Sequence, residues 1–284
     1  MTVLLKGADT AAAMKEEISA GVAELVKNGV TPCLGLVRVG ARPDDLSYER
    51  GAKKRMASFG IDVKVFELPE DISQSALERE FEKINSDPGV HGIMIFRPLP
   101  RGLDDEPLRQ MIDPRRDVDG MSPVNIAKVF SGDGSGFAPC TPEAVVEVLD
   151  CGGIDVTGRR VTVVGRSMVV GRPLAMLLLA RSATVTICHT RTKDLAARCR
   201  EADILVAAAG RAKMITAEYI GEGAAVIDVG INVGADGRLC GDVDFDSAAP
   251  RAGYITPVPG GVGAVTSSVL ARHTLRAARM LTRS

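Results

Sequence analysis

The sequence has no tryptophan, and aromatic residues make up only 4% of its 284 positions. A core built on aromatic stacking is therefore excluded, and the interior must be filled by Val, Leu, Ile, Ala and Met. No apolar run is long enough to span a bilayer. The opening MTVLLKGADTAAAMKEE turns charged too soon for a secretory signal. An excess of one charge is lacking as well: the formal net charge of −1 gives no general attraction to nucleic-acid phosphate or to anionic lipid. Only three histidines occur (His91, His189 and His273), far apart in the chain. The six cysteines, Cys33, Cys140, Cys151, Cys188, Cys199 and Cys240, form no C-x-x-C pair. That scatter offers neither a local metal site nor a disulfide framework. It reads as mostly buried, reduced thiols in a cytoplasmic protein with no metal, nucleic acid or membrane partner.

What is present is an alternation of short β-branched runs with longer amphipathic segments, the pattern of βα units on a parallel sheet. In the first half, CLGLVRV reads as a buried strand, and a helix over 47–59 ends at Gly60. IDVKVFEL is the next strand, and SQSALEREFEKINSD is a helix with a Ser cap and an acidic first turn. VHGIMIF is a third strand, stopped by RPLPRG. Around 131–142 the chain reads SGDGSGFAPCTP, a domain boundary by composition. Helix PEAVVEVLDCGG, strand RRVTVVG, helix GRPLAMLLLARSA, strand TVTICH, helix KDLAARCREA and strands DILVAAAG and AAVIDVG then follow. This is the series of a doubly wound, Rossmann-like parallel sheet, and 265–281 is helical again. The expected class is α/β with two domains.

VTVVGRSMVVGRP combines a strand, a small-residue turn and a helix start. The dinucleotide fingerprint G-x-G-x-x-G is met only loosely: Gly165, Arg166 and Ser167 are followed by Gly171 one place late. A turn that needs glycine for backbone reasons alone would look the same. Its context favours a ligand, because the turn lies at the first βα crossing and Gly171, Arg172 and Pro173 open the helix. Backbone N–H groups and the helix dipole there suit a diphosphate. The next strand ends in His189, Thr190 and Arg191, with no acid before Asp194. An NAD site places Asp or Glu there, whereas two hydroxyls with Arg166 and Arg191 suit the 2′-phosphate of NADP. GRSMVV is not a nucleophile elbow, since Val169 stands where G-x-S-x-G needs its last glycine.

RPDDLSYERGAKKR, FRPLP, RRDVDG and TPVPGGVG make little sense as core. Together PLP, DVDG, PCTP, VGRSxxVGRP, IDVGIN and TPVPGGVG resemble the methylenetetrahydrofolate dehydrogenase/cyclohydrolase family, in its order and spacing over nearly the whole chain. The resemblance implies two domains around a cleft: a folate-binding catalytic domain from 1–138 plus 264–284, and an NADP-binding domain from 139–263. It implies a homodimer, and a tetrahydrofolate substrate that can carry a polyglutamate tail. It implies hydride transfer from methylenetetrahydrofolate to NADP, a step that asks more for positioning than for a strong acid or base. By the same resemblance, Tyr48 lies along the folate and Asp119 hydrogen-bonds the pterin, the two forming the catalytic pair. Pro98, Pro259, Gly260 and Gly263 line the substrate, and Ile231 touches the nicotinamide side.

The sequence departs from the family at its second activity, hydrolysis of methenyltetrahydrofolate. The family pattern is Tyr-x-x-x-Lys, with a Gln just before Leu-Pro-Leu-Pro. Here the lysine position is Ala52, the glutamine position is Phe96, and Arg97 replaces the usual Leu. Lys53 and Lys54 are rotated away, at about 100° per residue along a helix. Ala264 and Val265 also stand where many relatives have Pro-Met. The expectation is a dehydrogenase whose cyclohydrolase is weak or absent. Alternatives are full bifunctionality with Lys53 or Lys54 substituting, a dehydrogenase of a different, shikimate-like substrate, and a non-catalytic NADP sensor.

Overall fold

The strand Cys33–Val39 is buried at every position, as a nearly continuous apolar run requires of a strand flanked on both edges, and its one charge, Arg38, is paired with Glu49 at 3.1 Å. In the computed structural model, which describes residues 2–234 and 237–282, it pairs in parallel with Asp62–Leu68 and with Gly92–Ile95. Helices Pro43–Ala57 and Gln74–Ser86 make the crossovers that parallel pairing needs. The first starts earlier than its apolar pattern suggests, because Pro43 occupies its first turn and Asp44 and Asp45 complement the helix dipole. The second is capped by Ser73, whose side chain accepts the Ala76 N–H at 3.3 Å. Its first turn holds no acid, contrary to expectation, since the glutamates begin one turn later. Leu77, Phe81 and Ile84 fall on one face of this helix and bury against Val37, Ile93 and Ile95.

A second sheet has six parallel strands in the order Val3–Leu4, Tyr254–Ile255, Ala225–Asp228, Ile204–Ala207, Arg160–Val164, Thr184–Cys188. Helices Cys140–Cys151, Gly171–Ala180 and Leu195–Arg200 accompany it, the last shorter than KDLAARCREA suggests. The inner strands Ile204–Ala207 and Ala225–Asp228 are buried throughout, while the edge strand Thr184–Cys188 is largely exposed. This is the expected α/β class with a doubly wound parallel sheet.

The chain divides into two compact units. The unit with the six-stranded sheet comprises Met1–Ala13, Phe130–Gly132 and Thr141–Thr266. The other comprises Met14–Val129, Asp133–Cys140 and Ser267–Ser284. The switch near residue 140 falls in the Gly/Ser/Pro-rich stretch. The division differs from 1–138 plus 264–284 chiefly at the start of the chain: Val3–Leu4 pairs with Tyr254–Ile255, and this pairing draws the first residues into the nucleotide-type unit.

A helix over Gly7–Lys27 was not anticipated, although Ala11, Met14, Ile18, Val22 and Leu25 recur at helical spacing and are buried. Also unanticipated is an antiparallel pair, Asn232–Val233 with Leu239–Cys240. All six cysteines are free thiols; four are buried, Cys240 is half-buried and Cys151 is exposed. Among the described residues no helix is long and apolar enough to cross a membrane.

Candidate active site

In the six-stranded unit, the turn after Arg160–Val164 is shaped by close backbone approach. Gly165 has φ 142°, and a Cβ there would lie 2.2 Å from the Ala208 carbonyl oxygen. A Cβ on Gly171 would lie 2.1 Å from the Gly165 oxygen. Neither backbone can yield, so both positions must be glycine. Ser167 closes the turn through its Oγ, which accepts the Val170 N–H at 3.1 Å. Gly171 and Pro173 are buried at the helix start, and Arg172 is exposed there with its guanidinium 3.4 Å from the Met168 sulfur.

This turn opens on a cavity of about 560 Å³ lined by Gly165, Arg166, Ser167, His189 and Thr190, with Arg211 on its wall. The cavity fits a dinucleotide: side chains are excluded where a diphosphate would approach, and cations and hydroxyls stand where a phosphorylated ribose would lie. Arg191 is exposed and is not on the cavity wall; its N–H donates to His189 Nδ1 at 3.2 Å. Arg211, from the end of a different strand, was not anticipated. Its backbone is fixed by Asp242, a fully buried carboxylate that accepts the N–H groups of Ala209 at 2.6 Å, Gly210 at 2.9 Å and Arg211 at 2.8 Å. The same carboxylate accepts from the Asn232 amide at 2.9 Å. Asp242 thus ties the cavity wall to the residue after Ile231, whose own side chain is 70% exposed. Asp228, buried beside it, takes the Gly230, Asp242 and Val243 N–H groups. Burial raises its pKa to about 6 despite those three donors.

Also in this unit, Gly260 has φ 101° and its carbonyl accepts the Gly7 N–H at 2.8 Å. A Cβ on Gly263 would meet only Ile231, at 3.7 Å. Pro259 precedes these two glycines in an exposed turn.

The other unit brings together Tyr48, Phe96, Arg97 and Asp119. Tyr48 projects from the Pro43–Ala57 helix, and its ring stands edge-on to Phe96 with centroids 5.8 Å apart. Burial, reinforced by Cys140 and Asp119, pushes the Tyr48 hydroxyl well above its usual range, so it remains a proton donor. Asp119 Oδ1 accepts the Cys140 N–H at 3.1 Å, and Oδ2 faces the Arg97 guanidinium at 3.6 Å. Burial raises the Asp119 pKa, while the Cys140 N–H and Arg97 oppose that shift. Gly120, at φ 61°, lies so close to Phe137 and Ala138 that a Cβ would come within 2.5 Å of the Phe137 oxygen. This tight approach fixes Asp119 against the Cys140 segment. Pro98 follows Arg97 at the end of the Gly92–Ile95 strand and is exposed. Ala52 is 2% exposed, whereas Lys53 and Lys54 face solvent, Lys53 donating to Glu49 at 2.7 Å.

Two family models match the chain in tandem. The tetrahydrofolate dehydrogenase/cyclohydrolase catalytic domain covers residues 5–119, and the NAD(P)-binding domain of the same family covers 139–282. The chain belongs to the tetrahydrofolate dehydrogenase/cyclohydrolase family. As a member it is an enzyme, an oxidoreductase with an NAD(P)-binding domain.

Relatives named "Bifunctional protein FolD" share 52% identity with it. One, from Clostridioides difficile, aligns over 98% of this chain and 96% of its own; another, from Carboxydothermus hydrogenoformans, over 99% of each. The crystal structure of the bifunctional FolD methylenetetrahydrofolate dehydrogenase/cyclohydrolase from Campylobacter jejuni superposes with a TM-score of 0.96 at 38% identity, covering 99% of both chains. The Trypanosoma brucei methylenetetrahydrofolate dehydrogenase-cyclohydrolase, complexed with NADP cofactor and inhibitor, gives 0.94 at 39% identity, covering 100% of this chain and 99% of that one. The relatives' bifunctional name corrects one expectation. A cyclohydrolase that is weak or absent, inferred from Ala52 and Phe96, is not favoured for a chain half-identical to them.

Proposed function

We propose that this chain oxidises 5,10-methylenetetrahydrofolate to methenyltetrahydrofolate with NADP, and also hydrolyses the methenyl product, without a lysine at position 52. The cofactor is NADP. The observation that carries the reading is the tandem match of both family domains, with Tyr48 and Asp119 lying in one and the glycine turn and its cavity in the other. The chain's residues have simple tasks in the hydride step. Asp119 accepts N–H groups of the pterin ring, and Tyr48, held protonated, packs along the folate. Arg166, His189 and Thr190 receive the 2′-phosphate, and the N–H groups of the turn from Gly165 to Gly171 face the diphosphate. NADP supplies the hydride acceptor. Gly260 and Gly263 leave room for substrate beside Pro259, and Ile231 meets the nicotinamide side.

Hydrolysis without the family lysine is supported by three features: Ala52 is buried, Lys53 is engaged by Glu49, and Phe96 packs on Tyr48 where a glutamine would orient an amine. Water adds to an already cationic methenyl carbon, so the step asks chiefly for a positioned ring with the protonated Tyr48 beside it. We further place the enzyme in the cytoplasm as a homodimer that accepts polyglutamylated folate. The test is spectrophotometric. Methylenetetrahydrofolate with NADP should yield NADPH, and methenyltetrahydrofolate without NADP should decay above the buffer rate. No NADPH would refute the dehydrogenase, and decay at the buffer rate would refute bifunctionality. A Lys53→Ala or Lys54→Ala variant that loses the decay would refute hydrolysis without a lysine.

A further inference from the structure

The geometry points to Arg97 as the residue that positions Asp119 for the pterin ring, supplying from a strand end the positive charge that position 52 of the neighbouring helix does not carry. The assignment rests on the folate reading above. Arg97 follows Phe96 at the end of the Gly92–Ile95 strand, and the two side chains divide the work. Phe96, 6% exposed, packs on Tyr48; the Arg97 guanidinium, 22% exposed, lies between Asp105 at 3.5 Å and Asp119 at 3.6 Å. Both separations exceed the roughly 2.8 Å of a charge-assisted hydrogen bond. Asp119 is therefore held by charge without being clamped, and Oδ2 keeps its capacity to accept from a ligand. Oδ1 is already committed to the Cys140 N–H.

Four groups face the Asp119 carboxylate: Arg97 from the strand end, Asp117 from the same turn, Tyr48 from the Pro43–Ala57 helix and Cys140 from the start of the Cys140–Cys151 helix. Of these only Arg97 carries positive charge. Burial favours a protonated Asp119 and Asp117 adds to that tendency; Arg97 and the Cys140 N–H act against it. A protonated Asp119 would present a donor toward pterin N–H groups, so the site needs the anion. In the family pattern a lysine four residues after the tyrosine brings a cation from the helix. Here that position is the apolar, buried Ala52, and the charge arrives at the position where the family usually has Leu.

The experiment uses the whole enzyme and two variants, Arg97→Leu and Arg97→Lys, assayed with methylenetetrahydrofolate and NADP from pH 5 to 9. Arg97→Leu should raise KM for methylenetetrahydrofolate about tenfold and move the acidic limb of kcat/KM upward by about one pH unit, because Asp119 loses the group that keeps it ionised. KM for NADP should stay within about twofold, which also certifies the fold. Arg97→Lys should restore the limb and recover part of KM. A residue with only a structural role would lower Tm without shifting the limb. An unmoved limb and an unchanged folate KM in Arg97→Leu, with an active wild type, overturn the assignment alone. A wild type without turnover overturns the folate reading, and this assignment with it.

Discussion

Tyr48 and Phe96 meet edge to face, with ring centroids 5.8 Å apart and planes inclined at 82°. Such a contact is worth about 0.5–1.5 kcal/mol beyond the area it buries. Phe96→Leu keeps the position apolar, gives up part of the ring's volume and removes the edge contact. Stability should fall by about 1 kcal/mol in urea titration, and KM for methylenetetrahydrofolate should rise while KM for NADP does not. A rise in both Michaelis constants would mean that the contact serves the fold and not the folate.

Ala52 and Phe96 should be coupled. Ala52→Lys forces a long amine into a buried position, and Phe96→Gln buries an amide without a partner; each should destabilise by about 1–3 kcal/mol. In the double variant the two groups can pair, so it should be more stable than the sum of the single changes allows. Strict additivity in the double-mutant cycle would show that the two positions do not meet as the family pattern implies.

Cofactor discrimination should follow the cavity wall and not the sequence order. Arg166→Ala should raise KM for NADP by about 10- to 100-fold relative to NAD, the worth of a hydrogen bond to a charged group. Arg211→Ala should act in the same direction and Arg191→Ala much less, since Arg191 is not on the wall. A larger effect from Arg191 than from Arg211 would return the assignment to the loop after His189.

Gly165→Ala places a Cβ 2.2 Å from the Ala208 carbonyl at a φ of 142°. The opposing atom belongs to backbone, so the variant should lose about 3 kcal/mol of stability and bind NADP poorly. Gly153→Ala, with φ 65° and no heavy atom within 4 Å, should cost only about 1 kcal/mol. Similar losses at both sites, by thermal melting, would contradict the steric account.

Asp203 holds Arg160 at 2.7 Å, and hydrogen bonds from Arg160 lower the Asp203 pKa from 3.8 to about 2. A depressed folded-state pKa stabilises above the unfolded value, and that contribution is lost as pH falls through the folded one. The Tm gap between wild type and Asp203→Asn should therefore be full above pH 4 and shrink as pH falls toward 2. A gap independent of pH would assign the effect to neutral hydrogen bonding.

The buried parallel strands were legible because burial on both faces leaves nearly continuous apolar runs such as CLGLVRV and AAVIDVG, each broken by a single charge. Val3–Leu4 and Tyr254–Ile255 were not, since two residues carry no period and their pairing depends on the rest of the sheet. Within the site, Tyr48, Asp119 and the glycine turn announced themselves through motifs. Arg97, Arg211 and Asp242 did not. Arg97 reaches Asp119 from another strand end, and Asp242 holds Arg211 from far along the chain, so neither relation leaves a spacing to read. Arg191 shows the converse: a cation at a suitable sequence position whose side chain lies off the cavity.

The pairing of Val3–Leu4 with Tyr254–Ile255 has a consequence for how the chain comes off the ribosome. Thr2 also binds the Ala249 carbonyl, 247 positions away. Val3–Leu4 must therefore wait, unpaired, until Tyr254–Ile255, far along the chain, has emerged. The interior strands of the six-stranded sheet can assemble meanwhile, but its border on this side stays open until then. Contacts of such sequence separation slow folding. An open sheet border on a nascent chain is also where a holding chaperone, or a neighbouring nascent copy, would first take hold.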